Sequence, residues 1–223
     1  MLERLIGSFT DLLFTIPCVL IALTFHEVAH GFMAYKLGEP TAKYFGRLSL
    51  NPIKHLDPIG TICMVFFGFG WARPVPVNSR YFKKPRRDMA LTAAAGPIMN
   101  FILAFVGLLL FNIVEVVFPL MFSPTKFTAN LYSATLTFLY VFHYLNLSLG
   151  LFNLIPLPPL DGSRIFLTFL PAKYYFAIMK YERYIMIAFL VLLWTDIITL
   201  PLSNIVSWIS DGMNFVINLI PFL

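Results

Sequence analysis

Long apolar runs alternate with short polar, turn-rich stretches along the chain, and three of the runs, at about residues 8–35, 89–118 and 131–152, are long enough to cross a bilayer as helices. A helix rises about 1.5 Å per residue and the hydrocarbon core is about 30 Å thick, so roughly 20 apolar residues suffice. A fourth span is expected at about residues 184–200. Residues 202–223 read differently: Ser207, Asp211, Asn214 and Asn218 recur at helical spacing opposite Ile205, Ile209, Met213, Val216 and Ile220. That periodicity predicts an amphipathic helix at the membrane interface, with a fifth span as the alternative. Residues 59–71 are apolar but too short to span, and Gly60, Gly68 and Gly70 among several β-formers favour a strand or re-entrant hairpin. Backbone of that kind is tolerated at membrane depth only beside protein or water. The expected fold is an all-α polytopic membrane protein: a three-span core with a short membrane-inserted β or re-entrant element, then a C-terminal span and an amphipathic helix.

The connections carry their own signals. Glu39-Pro40, Asn51-Pro52 and Asp57-Pro58 break the stretch after the first run, and Gly31 and Gly38 loosen its exit. Ala93-Ala94-Ala95-Gly96-Pro97 opens the second run with residues small enough for another helix to approach closely, and Pro97 is expected to kink it. Pro156, Pro158 and Pro159 preclude a regular helix after the third run, so Asp161 is presented from irregular backbone where a new helix begins.

Composition agrees with a membrane protein. Of 223 residues, 59% are hydrophobic and 12% charged, and the mean hydropathy is +0.79. These values exclude an ordinary soluble enzyme and suggest one membrane-embedded domain over residues 1–223, with its core at about 8–170 and the C-terminal helices at about 184–223. No stretch is left for a separate soluble module of about 80 to 100 residues. The net charge of +5 does not indicate nucleic acid, because the basic residues interleave with the spans. Fourteen of the sixteen Lys and Arg lie in residues 36–87 and 164–183, which the positive-inside rule assigns to the cytoplasmic side. Cys18 and Cys63 sit in apolar stretches without metal-ligand spacing and read as packing residues. The first run continues to His30 without a small-residue cleavage site, so it reads as a retained span rather than a cleaved signal.

The chemistry concentrates in His26-Glu27-Val28-Ala29-His30, inside the first span. Residues four apart share a helix face, so the two imidazoles can hold one Zn²⁺ while the adjacent carboxylate, Glu27, acts as general base on a bound water. Three ionisable side chains at membrane depth are costly and mark a functional site. A catalytic zinc commonly has three protein ligands, and Asp161 is the best candidate for the third, being a carboxylate at a break on the same side. It could also cap the helix that it begins. Asn100 and Asn153 are amides at membrane depth: either interhelical glue worth about 0.6 to 2 kcal/mol, or hydrogen-bond partners for substrate or a developing oxyanion. His55 and His143 lie outside any ligand spacing and read as hydrogen-bonded or solvated residues.

The His26-Glu27-Val28-Ala29-His30 motif, the Gly96-Pro97-Ile98-Met99-Asn100 segment and the stretch from Asn153 to Gly162 occur in the order seen in the site-2 protease family of intramembrane zinc metalloproteases. The Leu48-Ser49-Leu50-Asn51-Pro52 segment and the run His55-Leu56-Asp57-Pro58-Ile59-Gly60 also resemble its compact bacterial and archaeal members. This resemblance implies that His26, His30 and Asp161 bind one Zn²⁺ per chain, that Glu27 is the base, and that Asn100 and Asn153 assist substrate or transition-state binding. It further implies a three-span catalytic core, with residues 59–71 as a membrane-inserted β element whose edge could hold an unwound substrate strand. The partners expected are transmembrane protein or peptide substrates and the lipid bilayer, with no nucleic acid. The setting expected is a bacterial or archaeal cell membrane, with the active site toward the cytoplasm. The chain departs from regulated members in having no PDZ or CBS module. Two other functions use the same residues: a zinc-binding scaffold or chaperone without proteolysis, which would not need Glu27, and a metal transporter, which would show flux and no cleavage products.

Overall fold

A computed structural model describes residues 2–60, 72–193 and 196–220 of the chain. Its α-helices, in chain order, are α1 (Leu2–Lys36), α2 (Thr41–Tyr44), α3 (Pro85–Met121), α4 (Lys126–Asn153), α5 (Asp161–Phe166), α6 (Ala172–Lys180), α7 (Glu182–Leu193) and α8 (Asp196–Ile217). Among the described residues, three helices are long and apolar enough to cross a membrane: α1, over Leu12–Lys36, and the whole of α3 and α4. These are the three core spans that the apolar runs predict.

Local chemistry fixes where each helix begins and ends. The α1 terminus closes through Glu39 N–H donating to Ala34 O at 2.9 Å and Gly38 N–H to Tyr35 O at 3.1 Å. Gly38 sits between them at φ +93°, a left-handed conformation that a side chain would disfavour. Pro85 is the first residue of α3, where its missing N–H costs nothing. At the start of α4, Thr125 and Thr128 satisfy each other's backbone N–H reciprocally, at 2.8 and 3.1 Å. The helix α3 continues through Pro97.

The three long helices pack through α3. Its buried positions Asp88, Thr92, Gly96, Asn100 and Ala104 recur every four residues and so form one face, while Ile98, Ile102, Val106 and Leu110 repeat at the same interval on an exposed, apolar face. Lipid is as apolar as leucine and gives helices no hydrophobic reason to associate, so close approach over small residues carries the packing. A Cβ at Gly107 would lie 2.9 Å from Phe142 Cδ1, and one at Gly150 would lie 3.3 Å from both Asn100 Cβ and Pro97 O.

The C-terminal third is helical as well. Of the expected span at residues 184–200, residues 184–193 lie on α7 and residues 196–200 on α8, while residues 194–195 lie outside the described residues. The amphipathic pattern of α8 is present but turned. Val206 joins Ala104 and Leu147 in a buried cluster, with Ile209 and Met213 packed on it. Further along, Ser210 Oγ pairs with His143 Nε2 at 2.9 Å, and Asn112 Nδ2 donates to Asn214 Oδ1 at 3.3 Å. Contacts that advance together, 206 with 104 and 214 with 112, run α8 alongside α3. The helix therefore runs alongside the bundle with two polar positions, Ser210 and Asn214, facing other helices, although it is not among the helices long and apolar enough to cross a membrane. Helical spacing reveals a polar stripe without revealing what it faces.

No regular strand occurs among the described residues. Leu56 and Ala72 form an isolated antiparallel bridge, and Arg73 N–H donates to His55 O at 2.8 Å. Of the expected β or re-entrant element, residues 59–60 are described and are helical, with Gly60 N–H donating to Asp57 Oδ1 at 2.8 Å. The remainder, with Cys63, lies outside the described residues.

Candidate metal centre

Three elements meet at one point. Helix α1 supplies His26 and His30 one turn apart, with Nε2 atoms 3.0 Å from each other. Asp161, the first residue of α5, places Oδ2 at 3.1 Å from His26 Nε2 and 3.2 Å from His30 Nε2. The turn-rich backbone that the three prolines impose delivers this carboxylate, and Leu160, not Asp161, occupies the helix-capping position, without a side-chain cap. Gly162 is required beside it, since a Cβ there would collide with the carbonyls of Leu154 and Ile155. Helix α3 closes the third wall with Gly96, where a Cβ would collide with the imidazoles of both His26 and His30.

The hydrogen bonds decide the protonation of the rings. His26 Nδ1 lies 2.6 Å from Asn100 Oδ1, and His30 Nδ1 lies 2.7 Å from Thr92 O. Both partners are acceptors, so each Nδ1 carries the hydrogen and each neutral ring presents a bare Nε2. Two Nε2 lone pairs and the buried Asp161 Oδ2, which has no hydrogen-bond donor, therefore converge where only a cation relieves their repulsion. Four ligands at 2.0–2.1 Å around a tetrahedral zinc stand about 3.3 Å apart, close to the separations found. Two imidazoles and one carboxylate suit Zn²⁺ better than Mg²⁺ or Ca²⁺, which prefer oxygen throughout.

Glu27 is buried next to this cluster and accepts from Val75 N–H through Oε2 at 2.8 Å. Val75 follows Arg73, whose carbonyl accepts from Arg47 Nη2 at 2.6 Å. Burial pushes the Arg47 guanidinium down, opposed by the negative charge of Glu27. The segment after residue 72 is thus tied to the general-base candidate from one side and to a buried arginine from the other.

The other sequence candidates divide. Asn100, fully buried, spends its carboxamide on protein: Oδ1 on His26, and Nδ2 on Asn146 Oδ1 at 3.0 Å and Ala22 O at 3.4 Å. Its carboxamide is thus engaged with His26 and Asn146, the arrangement of a residue that orients the His26 ring. Asn153, half-buried at the end of α4, donates to Leu149 O at 3.0 Å and makes no hydrogen bond to the His26, His30, Asp161 cluster. His55 donates through Nε2 to Ser49 O at 2.7 Å, and His143 is bonded at both ring nitrogens, so neither belongs to the cluster. Sequence reading missed Val75, Thr92 and Asn146. The first two act through backbone atoms, which leave no trace in residue type. Asn146 was findable as a third amide at membrane depth.

Comparison with known proteins places this geometry in context. Residues 14–194 match the model of Peptidase family M50. Over 190 residues, 85% of this chain and 82% of the relative, the sequence is 45% identical to a Bacillus subtilis protein named "Putative zinc metalloprotease YwhC". It is 25% identical over 202 residues to the Mycobacterium tuberculosis protein named "Putative zinc metalloprotease Rip2", covering 86% of this chain and 71% of that one. A similarity of 28% over 154 residues links it to "Zinc metalloprotease MJ0392" of Methanocaldococcus jannaschii, with 69% of this chain matched to 33% of that protein. No solved structure matches.

Proposed function

Because the chain belongs to peptidase family M50, and is an intramembrane zinc metalloprotease of the site-2 type, we propose that His26, His30 and Asp161 hold its Zn²⁺, that Glu27 is its general base, and that it cuts transmembrane substrates near the cytoplasmic face. The observation that carries this reading is the convergence of two bare Nε2 atoms and Asp161 Oδ2 within 3.2 Å, with Glu27 adjacent in sequence to His26. Family membership sets aside the scaffold and transporter alternatives.

Bound there, Zn²⁺ supplies a Lewis acid for the scissile carbonyl and a water with its pKa lowered toward neutrality. The protein does the rest. Val75 N–H occupies Glu27 Oε2, which fixes the carboxylate plane and leaves Oε1 to take the proton of the attacking water and pass it to the departing amine. Asn153 uses one of its two Nδ2 hydrogens on Leu149 O, and the second is the donor for the developing oxyanion. Along α1, His30 and His26 precede Lys36 by six and ten residues, hence by about 9 and 15 Å. The site therefore lies below the membrane surface at the end where the basic loops gather, which supports water access from the cytoplasmic side.

The test is cleavage of single-span substrates in proteoliposomes by the native chain and by Glu27→Gln, with zinc measured in both. Cleavage should fall by about 10²- to 10⁴-fold with one zinc per chain retained. Equal cleavage by the variant would remove Glu27 from the mechanism, and loss of zinc with His26 and His30 intact would make Glu27 a ligand.

A further inference from the structure

Two zinc-ligand candidates on the same helix have their ring hydrogens placed by different means. His30 relies on a backbone carbonyl, Thr92 O, which accepts in any circumstance. His26 relies on the side chain of Asn100, a carboxamide whose two ends are nearly equal in size and opposite in character. Turned over, Asn100 would offer a donor to His26 Nδ1. The hydrogen of the neutral ring would then move to Nε2, and that nitrogen would be lost as a ligand.

Nothing in Asn100 itself settles which way it points, since its contact with Ala22 O, at 3.4 Å, is long. The orientation is set further away. Asn146 Nδ2 donates to Phe142 O on its own helix at 2.8 Å, and a backbone carbonyl accepts only. Asn146 must then face Asn100 with Oδ1, at 3.0 Å from Asn100 Nδ2, and Asn100 in turn must face His26 with Oδ1. Both amides are fully buried, so water does not substitute for either. The hydrogen bonds all run one way, from His26 on α1 through Asn100 on α3 to Asn146 and the Phe142 carbonyl on α4.

We propose that Asn146 is a positioning residue for zinc binding: acting through Asn100, it selects the Nδ1–H tautomer of His26 and thereby keeps His26 Nε2 available to the metal. The inference rests on the metal-centre reading above. It differs from interhelical glue, which would tie α4 to α3 with no effect peculiar to His26.

The two roles separate in a double-mutant cycle read by zinc affinity. The purified full-length chain, in lipid–detergent micelles, is titrated with a chelator of known zinc affinity in four forms: native, Asn146→Leu, Asn100→Asp, and the pair combined. In the native background Asn146→Leu should weaken zinc binding by about 10- to 100-fold, the range for lost ligand-orienting partners. A carboxylate at position 100 presents an acceptor to His26 in either orientation, so Asn146→Leu should cause no loss in the Asn100→Asp background. An equal loss in both backgrounds, or none in the native one, would overturn the proposal. Asn146→Ala serves the same cycle if the leucine variant does not fold. Asn146→Asp, which keeps an acceptor toward Asn100, should bind zinc within a few-fold of native, and a loss as large as that of leucine would also count against the relay. Failure of the native chain itself to bind zinc would overturn the metal-centre reading, and with it this inference.

Discussion

Gly96 is bare because the imidazoles of His26 and His30 occupy the space a side chain would take. A methyl there meets the backbone-anchored ring of His30, which has no room to retreat. Gly96→Ala should therefore lower zinc affinity by about tenfold or more while the protein remains helical, as measured by metal content and circular dichroism together. Val75 acts through its amide, so only proline removes the interaction. Val75→Pro is expected to reduce turnover with zinc content unchanged, because the bond it deletes orients Glu27 and no ligand. A change in zinc content would contradict that assignment. At this scale the convergence of His26, His30 and Asp161 was legible, since the HExxH spacing puts both imidazoles on one helix face and the break before Asp161 announces itself through Pro156, Pro158 and Pro159. The Val75 amide and the Thr92 carbonyl were not, because every residue has the same backbone groups.

Between elements, packing rests on contacts at glycine. Gly107→Val would drive a side chain into Phe142, whose Cδ1 is 2.9 Å from the position of the added Cβ. Overpacking of this kind costs about 1 to 3 kcal/mol, to be read as an earlier denaturation midpoint in detergent. Polar contacts add to this. His143 Nε2 accepts from Ser210 Oγ, and both residues are buried, so Ser210→Ala should cost about 1 to 3 kcal/mol through the unsatisfied nitrogen. The three long spans were legible from apolar length alone. The course of α8 was not: polar residues every three or four positions suit headgroups on a membrane surface and partner side chains inside a bundle equally well, and only the positions of Asn112 and His143 on other helices distinguish the two.

For the whole molecule, the proposed sidedness rests on charge. The end of α1, the start of α3 and the helix α5 come together at the candidate metal centre, and most Lys and Arg lie in the segments bordering them. Single cysteines introduced at Lys43 and Arg80 should react with an impermeant thiol reagent from the same side of sealed vesicles, and one at Ser123 from the other. Labelling of all three from one face would refute the topology. The convergence of electron pairs among His26, His30 and Asp161 has a mechanical side as well. On the proposed ligand set, an ion held there would also fasten the loop and short helix after α4 to the first span, as a latch between distant parts of the chain. Stripping it with a chelator should raise deuterium uptake by the amides of residues 157–166 well before those of residues 96–104. A protease whose holding segment loosens whenever its metal leaves would then be marked for clearance by the same event that disarms it.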